Sequence, residues 1–316
     1  MSTALVFPGQ GSQAIGMVQS LAAAFPAARE VLQQVDDALS FKLSALMKDG
    51  PEAELTATQN AQPAIMAASL AAFRVMQSQM GFSLPKDAAY VAGHSLGEYS
   101  ALTAAGSLTV AEAAKLLRVR GNAMQAAVPP GQGGMVAVIG PELPLVEEIV
   151  AEARRRSPSE VIEIANHNST NQIVLSGSAK GMEMAIEVAK EKGAKRALPL
   201  AVSAPFHCSL MAPAAFVMEQ ALSEANLKDP IVPLVANVTA EMVEDAAAIK
   251  GLLVQQVTGM VRWVDSIERM KQAGVTRLIE IGHGNVLAGL IKRIAPEIAV
   301  VNIGTPEDLD AFSKAV

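Results

Sequence analysis

The sequence predicts an α/β fold in which a small domain is inserted into a large domain built on a parallel sheet. Short apolar runs that end in glycine or proline alternate with longer helical patterns, which is typical of parallel strands joined by crossover helices. A segment rich in proline and glycine at residues 129–134 interrupts this alternation. After it the predicted elements follow the order β-α-β-β-α-β, which indicates a second sheet.

The large domain is predicted to be α/β-hydrolase-like and to comprise residues 1–130 and 202–316. Its apolar runs are too short for helices and are ended by turn residues, so we interpret them as buried strands. Thr109 and Glu112 have the spacing of a capping box, which predicts the start of a helix that reaches about residue 127. The predicted strands lie at residues 4–7, 88–92, 234–238, 277–281 and 300–303.

The small domain is predicted to be ferredoxin-like and to comprise residues 131–201. It has four predicted strands and two predicted helices. The first helix follows the first strand and the second helix follows the third strand, which is the order of that fold. The predicted strands lie at residues 135–139, 161–165, 171–175 and 195–200, and the predicted helices at 142–155 and 179–192.

Composition narrows the class of protein. The 316 residues are 51% hydrophobic and 18% charged, which supports a large core and argues against disorder. The net charge of −6 argues against a nucleic-acid binder, and no apolar stretch reaches the length of a membrane span. The single cysteine, Cys208, leaves no internal disulfide and no cysteine metal cage, so we expect no metal site. The amino terminus lacks the pattern of a signal peptide, and we expect a cytoplasmic protein.

Ser95 has the sequence context of a catalytic nucleophile. It lies between a predicted strand and a predicted helix, with Gly93 two residues before it and Gly97 two residues after it. These glycines allow the sharp turn that exposes a serine hydroxyl, and N–H groups at the start of the helix can bind an oxyanion. An ordinary turn with a capping serine is the alternative interpretation.

His207 is the candidate base for this serine, because a serine is unreactive at neutral pH without one. It follows Ser95 in chain order, as in serine hydrolases of α/β type. His94 adjoins Ser95, and we expect the turn to direct its side chain elsewhere. No acidic residue near His207 completes a triad, so a neutral carbonyl is the expected partner of the imidazole. A surface position for His207 is the alternative.

Arg120 lies on the apolar face of the helix that Thr109 starts, whereas Arg118 is predicted to face solvent. A buried guanidinium needs an anion, and its fork matches a carboxylate. The sequence therefore predicts either an internal salt bridge or a substrate carboxylate held beside Ser95.

Several motifs between residue 4 and about residue 303 match one family in combination. The motifs are FPGQGSQ at 7–13, GHSLGEYSAL at 93–102, RGNAMQ at 120–125, NHNSTNQIVLSG at 166–177, VSAPFHCSLM at 202–211 and EIGHGNVLAGL at 280–290. Together they resemble the malonyl-CoA:acyl-carrier-protein transacylases. His283 stands where that family usually has proline.

The resemblance implies a ping-pong transfer of malonyl from malonyl-CoA to the phosphopantetheine thiol of holo acyl carrier protein, in fatty-acid biosynthesis. Ser95 would carry the acyl group and His207 would be the base. No cofactor and no metal would be needed, and the partners would include neither nucleic acid nor membrane. We expect a monomer.

The resemblance also implies roles for residues that spacing alone does not single out. The main-chain N–H groups of Gln10 and Leu96 would form the oxyanion hole. Arg120 would bind the malonyl carboxylate, and the main chain of Gln256 would orient His207. Basic residues are candidates for a rim that binds the acidic carrier; they are Lys195, Arg196, Lys271, Arg277, Lys292 and Arg293.

Three other functions remain open at this point. A serine thioesterase or esterase on the same scaffold would share Ser95 and His207 but would have no need of Arg120. A carrier-binding module without catalysis would have lost the serine and the histidine. A polyketide acyltransferase acting in trans would differ only in the carrier that it prefers.

Overall fold

The computed structural model describes residues 2–315, which fold around two β-sheets. The strands are β1 (Ser2–Phe7), β2 (Tyr90–Gly93), β3 (Gly133–Ile139), β4 (Ile162–Ser169), β5 (Gln172–Ser178), β6 (Arg196–Pro199), β7 (Leu234–Val235), β8 (Met242–Val243), β9 (Val275–Ile281) and β10 (Ala299–Ile303).

The larger sheet has the strand order β10-β9-β1-β2-β7-β8. All neighbours in it are parallel except β7 and β8, which form a short antiparallel pair. The central strand β1 is buried along Ala4 to Phe7, in keeping with a sheet covered by helices on both faces. The strand predicted at 234–238 is only two residues long, Leu234–Val235. The N–H of Asn237 donates to the Glu98 carboxylate and its carbonyl accepts from the N–H of Arg262, so these groups do not pair with a neighbouring strand.

The smaller sheet is antiparallel, in the order β4-β5-β3-β6. This is the ferredoxin-like arrangement, and the predicted α/β fold class is confirmed. Strand β4 continues to Ser169, beyond the predicted end at residue 165, because the polar segment Asn166–Ser169 still pairs with β5. The domain boundaries at 1–130, 131–201 and 202–316 stay a prediction.

Helices cover both sheets, and α8 and α9 enclose a separate apolar core with the smaller one. No helix among residues 2–315 combines the length and the apolar character needed to cross a membrane. The helices are α1 (Gln19–Ala24), α2 (Pro26–Leu39), α3 (Leu43–Asp49), α4 (Glu52–Thr56), α5 (Thr58–Met80), α6 (Gly97–Ala104), α7 (Val110–Ala126), α8 (Leu143–Arg156), α9 (Ala179–Glu191), α10 (Ala212–Glu224), α11 (Ala246–Thr258), α12 (Trp263–Gln272), α13 (Val286–Ile294) and α14 (Pro306–Ala315).

Helix α7 begins at the predicted capping box. The Thr109 hydroxyl accepts from the N–H of Glu112, and the Glu112 carboxylate accepts from the N–H of Thr109. These bonds satisfy two donors that the first turn of a helix leaves unpaired. The cap fixes where the helix starts and therefore which residues face the core, and Arg120 is among them.

Strand β4 contacts the rest of the protein through Val261, in the connection between α11 and α12. The N–H of His167 donates to the Val261 carbonyl at 3.0 Å, and the N–H of Val261 donates to the Ala165 carbonyl at 2.8 Å. The carboxylate of Glu163 on the same strand accepts from the N–H and the hydroxyl of Ser209. Strand β4 of the smaller sheet is thus joined by hydrogen bonds to the segment between α11 and α12 and to the segment that follows His207.

Candidate active site

Ser95 occupies the turn between β2 and α6. Its φ of 54° lies in the left-handed region, which residues other than glycine rarely adopt. The turn requires glycine on both sides. A Cβ at Gly93 would collide with the main chain of Gly97, and a Cβ at Gly97 would collide with the carbonyl oxygen of Phe7. The chain can therefore pass close to β1 and present the serine hydroxyl above the end of the sheet.

The Ser95 hydroxyl pairs with His207. Its Oγ lies 2.8 Å from His207 Nε2, and the opposite ring nitrogen, Nδ1, lies 2.8 Å from the main-chain oxygen of Gln256 on α11. A carbonyl oxygen can only accept, so Nδ1 carries the proton and Nε2 is free to accept from the serine. The partner of the imidazole is a carbonyl, as the lack of a nearby acidic residue suggested.

His207 is held in its neutral form. Burial, aided by the positive charge of Arg120, lowers the pKa of His207 from 6.5 to about 3, although hydrogen bonds to main-chain groups of Gln256 and Gly259 oppose the shift. The side chain is only 4% exposed. At neutral pH the imidazole is therefore able to take a proton.

Two amide side chains hold the main chain of Ser95. Asn237 Oδ1 accepts from the N–H of Ser95 at 2.8 Å, and Asn237 Nδ2 donates to the Gly93 carbonyl at 2.7 Å. Gln256 Nε2 donates to the Ser95 carbonyl at 2.8 Å. The strained turn is thus fixed from both sides.

Arg120 reaches the nucleophile from α7 and is 1% exposed. Its Nη1 donates to Gln62 Oε1 at 2.7 Å, and its Nη2 donates to Gln256 Oε1 at 2.8 Å and to Ser95 Oγ at 3.1 Å. No carboxylate within residues 2–315 forms a direct salt bridge with it. Burial lowers the pKa of Arg120. A guanidinium bonded to neutral amides and a hydroxyl is suited to bind an anion.

The main-chain N–H groups of Gln10 and Leu96 are the predicted oxyanion donors. Neither donates a hydrogen bond to another group within residues 2–315. The N–H of Ser95 itself is committed to Asn237, so it is not available to an oxyanion. Gln10 lies on the wall of the cavity that contains Ser95, and Leu96 immediately follows the serine.

The site lies in a cavity of about 370 Å³ between the two sheets. One wall is formed by the Ser95 turn and α7, and the other by β3, β4 and β5. Near the opening Leu200 and Val286 are exposed. The residues that line the cavity are Gln10, Gly11, Gln13, Thr56, Gln62, His94, Ser95, Arg120, Met124, Met135, Ala137, Asn166, Asn168, Gln172, Val174, Leu200, Ala201, Val202, Phe206, His207 and Val286.

Comparison with known proteins identifies the family. The sequence profile of the acyl transferase domain matches residues 4–303. This chain belongs to the acyl transferase family. It is 42% identical over 307 residues to the malonyl CoA-acyl carrier protein transacylase of Bacillus subtilis, covering 97% of this chain and 95% of that protein. It is 44% identical over 309 residues to the protein of the same name from Salmonella typhimurium, covering 98% and 97%.

Solved structures give the same result. The acyl-carrier-protein-S-malonyltransferase of Bartonella henselae is 52% identical and superposes with a TM-score of 0.96, covering 100% of this chain and 99% of that one. A malonyl-transacylase solved in complex with a type II PKS acyl-carrier protein is 40% identical, with a TM-score of 0.95 and full coverage of both chains. This acyl transferase is therefore an enzyme with the fold of those proteins.

His94 in this acyl transferase also lines the cavity, although the turn was expected to direct it elsewhere. Its Nε2 lies 2.8 Å from Asn168 Oδ1 on β4, and its ring packs 5.5 Å from the ring of Trp263. Burial lowers the pKa of His94. Arg118 was expected in solvent but is partly buried, where it donates to Asn60 Oδ1 at 2.6 Å.

Three residues of the site were missed by sequence reasoning: Gln62, Asn237 and Glu98. Gln62 contacts a partner 58 positions away, and Asn237 contacts one 142 positions away. Glu98 lies within GHSLGEYSAL at 93–102, but no local pattern indicates that it is buried near Arg120. No group of three potential metal-ligating side chains clusters within the described residues, and Cys208 is buried with its thiol donating to the Pro205 carbonyl at 3.2 Å.

Proposed function

We propose that this acyl transferase moves a malonyl group from malonyl-CoA to the phosphopantetheine thiol of an acyl carrier protein, through a malonyl ester of Ser95. The observation that carries this proposal is the buried guanidinium of Arg120, whose Nη2 lies 3.1 Å from Ser95 Oγ. A cation at that distance favours an acyl group that ends in a carboxylate. The relatives named above as malonyl transacylases support the same acyl group.

In the first half-reaction, His207 Nε2 takes the proton of Ser95 while Oγ attacks the thioester carbonyl carbon. The carbonyl oxygen gains the negative charge, and the unpaired N–H groups of Gln10 and Leu96 are the proposed donors to it. The C–S bond then breaks, and His207 returns its proton to the departing CoA sulfur. The neutral imidazole, oriented by Gln256, is suited to both steps.

In the second half-reaction, the same groups act in reverse order. The carrier thiol gives its proton to His207, and its sulfur attacks the ester carbonyl carbon. The C–O bond breaks, and Ser95 recovers its proton from His207. A thioester is exchanged for an ester and then for a thioester, so the proposal involves no cofactor and no metal.

Two pairs of basic residues are proposed to receive the acidic carrier. Arg293 Nη1 lies 3.5 Å from Oε1 of Gln172, a residue that lines the cavity. Arg196 on β6 is two strands away from Gln172 on β5, because Ile139 on β3 pairs with both. Lys195 packs over Gly140 beside them, and Lys292 adjoins Arg293. The solved complex of a similar transacylase with a carrier supports this kind of partner.

Two of the candidate basic residues are poorly placed for this role. Lys271 is already paired with Glu268 and Glu297. Arg277 lies near the amino end of β9, against Thr3 and the ring of Phe312, whereas Ser95 follows the carboxyl end of the parallel strand β2. We exclude both from the proposed surface.

The decisive experiment supplies radiolabelled malonyl-CoA and holo acyl carrier protein to the enzyme. We expect label on the carrier, and label on the enzyme alone when the carrier is omitted. Ser95→Ala should abolish both. If free malonate accumulates while the carrier stays unlabelled, the enzyme is a thioesterase and the proposal is wrong. A polyketide carrier supplied in parallel tests the other alternative, a polyketide acyltransferase acting in trans.

The monomeric state and the cytoplasmic location stay predictions.

A further inference from the structure

Glu98 is a buried carboxylate that the reaction steps above do not use. It lies in the first turn of α6, three residues after the nucleophile, and is 1% exposed. A buried carboxylate is costly unless its oxygens accept hydrogen bonds. Its partners therefore show what the carboxylate does in this site.

Both oxygens of Glu98 accept from residues that also bond the main chain of Ser95. Oε1 accepts from the N–H of Asn237 at 3.2 Å, and Oε2 accepts a short hydrogen bond from Gln256 Nε2. The other end of the same Gln256 amide, Oε1, accepts from Arg120 Nη2 at 2.8 Å. One amide group therefore separates the carboxylate from the guanidinium.

Glu98 and the Ser95 carbonyl together set the direction of this amide, because both accept from its NH₂ group. Both oxygens of Glu98 act as acceptors here, and one of them accepts from the NH₂ end of Gln256, which therefore faces the carboxyl group. The oxygen end then faces Arg120, which can only donate. We propose that Glu98 is a positioning residue that fixes the Gln256 amide and thereby holds the Arg120 guanidinium beside Ser95, where it discriminates for an acyl group with a carboxylate; this inference rests on the proposed function.

The charges around Glu98 agree with this geometry. Burial raises the pKa of Glu98 to about 7, while the hydrogen bonds from Asn237 and Gln256 and the charge of Arg120 act in the opposite direction. Burial lowers the pKa of Arg120, whereas the acidic groups of Tyr99 and Glu98 raise it and so favour the charged form. Burial raises the pKa of the Tyr99 hydroxyl, which stays neutral, so Glu98 is the acidic group of the two that can favour the charged form of Arg120.

Replacing Glu98 with glutamine keeps the shape and removes the strict acceptor. The new amide has one oxygen and one NH₂ group for two donors, Asn237 N–H and Gln256 Nε2. One of these donors must then face another donor. Where the conflict falls on Gln256, its NH₂ group loses the carboxyl acceptor and keeps the Ser95 carbonyl, so the amide and the guanidinium bonded to it are held less firmly.

The test compares Glu98→Gln with a matched control, Glu280→Gln. Glu280 is also fully buried and accepts from the N–H groups of Leu287 and Ala288 and from Asn302, all outside the cavity. We measure the ratio of kcat/KM for malonyl-CoA to that for acetyl-CoA. The ratio should fall about tenfold or more in Glu98→Gln, the size of one lost charge-assisted hydrogen bond, and stay unchanged in Glu280→Gln.

A fall in both rates with an unchanged ratio would assign Glu98 a purely structural role and overturn the proposal. If Glu98→Gln does not fold, Gln256→Met decides instead, since it removes the amide but keeps the main-chain oxygen that orients His207. That variant should show the same loss of selectivity, and retained selectivity would equally overturn the proposal.

A second measurement needs no substrate and so separates this inference from the proposed function. Nitrogen-15 NMR of the Arg120 guanidinium, assigned with Arg120→Lys, should show slowly exchanging Nη protons in the wild type. These signals should broaden or exchange quickly in Glu98→Gln and persist in Glu280→Gln. Unchanged signals in Glu98→Gln would refute the inference even if malonyl transfer is demonstrated, and lost signals would support it even if malonyl is not the substrate.

Discussion

The imidazole of His207 shows how one residue connects stability with chemistry. It is buried in a neutral form whose proton on Nδ1 is fixed by a main-chain oxygen, so Nε2 needs no deprotonation before it accepts from Ser95. The same burial means that protonation of His207 is unfavourable in the folded state. The unfolded chain protonates at the ordinary pKa of histidine, so folding and pH are linked through this group.

Replacing His207 with asparagine should make the enzyme less sensitive to acid. The folded-state pKa of about 3 lies below the unfolded value of 6.5, so the unfolded chain binds more protons between these values. The stability contribution is complete above pH 6.5 and is lost as the pH falls toward 3. Asparagine tolerates the φ of 58° at this position. Urea unfolding from pH 7 to pH 4 should therefore show a shallower decline for His207→Asn, and parallel curves would contradict this.

Replacing Arg120 with alanine should remove the preference for a carboxylate. We expect kcat/KM for malonyl-CoA to fall by about 100-fold, because a buried charge-assisted contact is lost, with a much smaller change for acetyl-CoA. Arg118→Ala is the matched control, since Arg118 lies two positions away on α7 and contacts Asn60 instead. If malonyl is still preferred in Arg120→Ala, Arg120 does not bind the carboxylate.

Residues of this site differ in how far the sequence could predict them. Ser95, His207 and Arg120 can be predicted because each stands in a local pattern: a glycine turn, a histidine later in the chain, or an arginine on an apolar helix face. The structure brings these three side chains together. Gln62 and Asn237 carry no such pattern, and their contacts join residues far apart in the chain. Glu98 resembles an ordinary acidic residue in a first helical turn, and its burial is visible only when α11 is packed beside it.

At the scale of elements, the turn from β2 to α6 requires the main chain at Gly93 to pass close to Gly97, and that at Gly97 to pass close to Phe7 in β1. The predicted strand, turn and helix appeared at the expected place, because glycine spacing and apolar runs are local features. The two-residue strand β8 was not predicted, since its pairing depends on β7 and it has no apolar run of its own. The polar end of β4, residues 166–169, was not predicted either. It pairs with β5 through main-chain atoms, and its polar side chains do not form the apolar run that indicates a buried strand.

Replacing Gly97 with alanine should destabilise the enzyme by roughly 1–3 kcal/mol or more, because its Cβ would collide with the main-chain oxygen of Phe7 in the central strand. Gly251 in the middle of α11 is the matched control. A Cβ there meets no atom within 4 Å, so Gly251→Ala should stabilise by about 0.5–1 kcal/mol. Urea unfolding of both variants measures the difference, and equal stability would show that the turn relaxes.

At the scale of the whole molecule, an enzyme with a net charge of −6 would need local positive charge to bind the proposed acidic carrier. The proposed surface lies on the small sheet and on α13, which contacts β4. It therefore spans both sides of the groove. A carrier that binds there would place its thiol arm over the opening to Ser95.

Reversing two of these charges, with Lys195→Glu and Arg196→Glu together, should slow transfer from the preloaded malonyl enzyme to the carrier by about tenfold at low salt. Transfer to free pantetheine, which is uncharged, should not change. Arg277→Glu at the far end of the sheet is the control. Equal rates for the carrier with and without the reversal, measured by single-turnover label transfer, would remove Lys195 and Arg196 from the surface.

Gln256 has a consequence for how this enzyme could be engineered or could diverge. Its main-chain oxygen, which orients His207, is present whatever side chain occupies the position. Its side-chain amide, which contacts Arg120, is the part that substitution alters. A library of variants at this one position therefore keeps the carbonyl that orients His207 and changes the amide that contacts Arg120 and the Ser95 carbonyl, so it would show how far acyl preference can be altered before the nucleophile turn is lost.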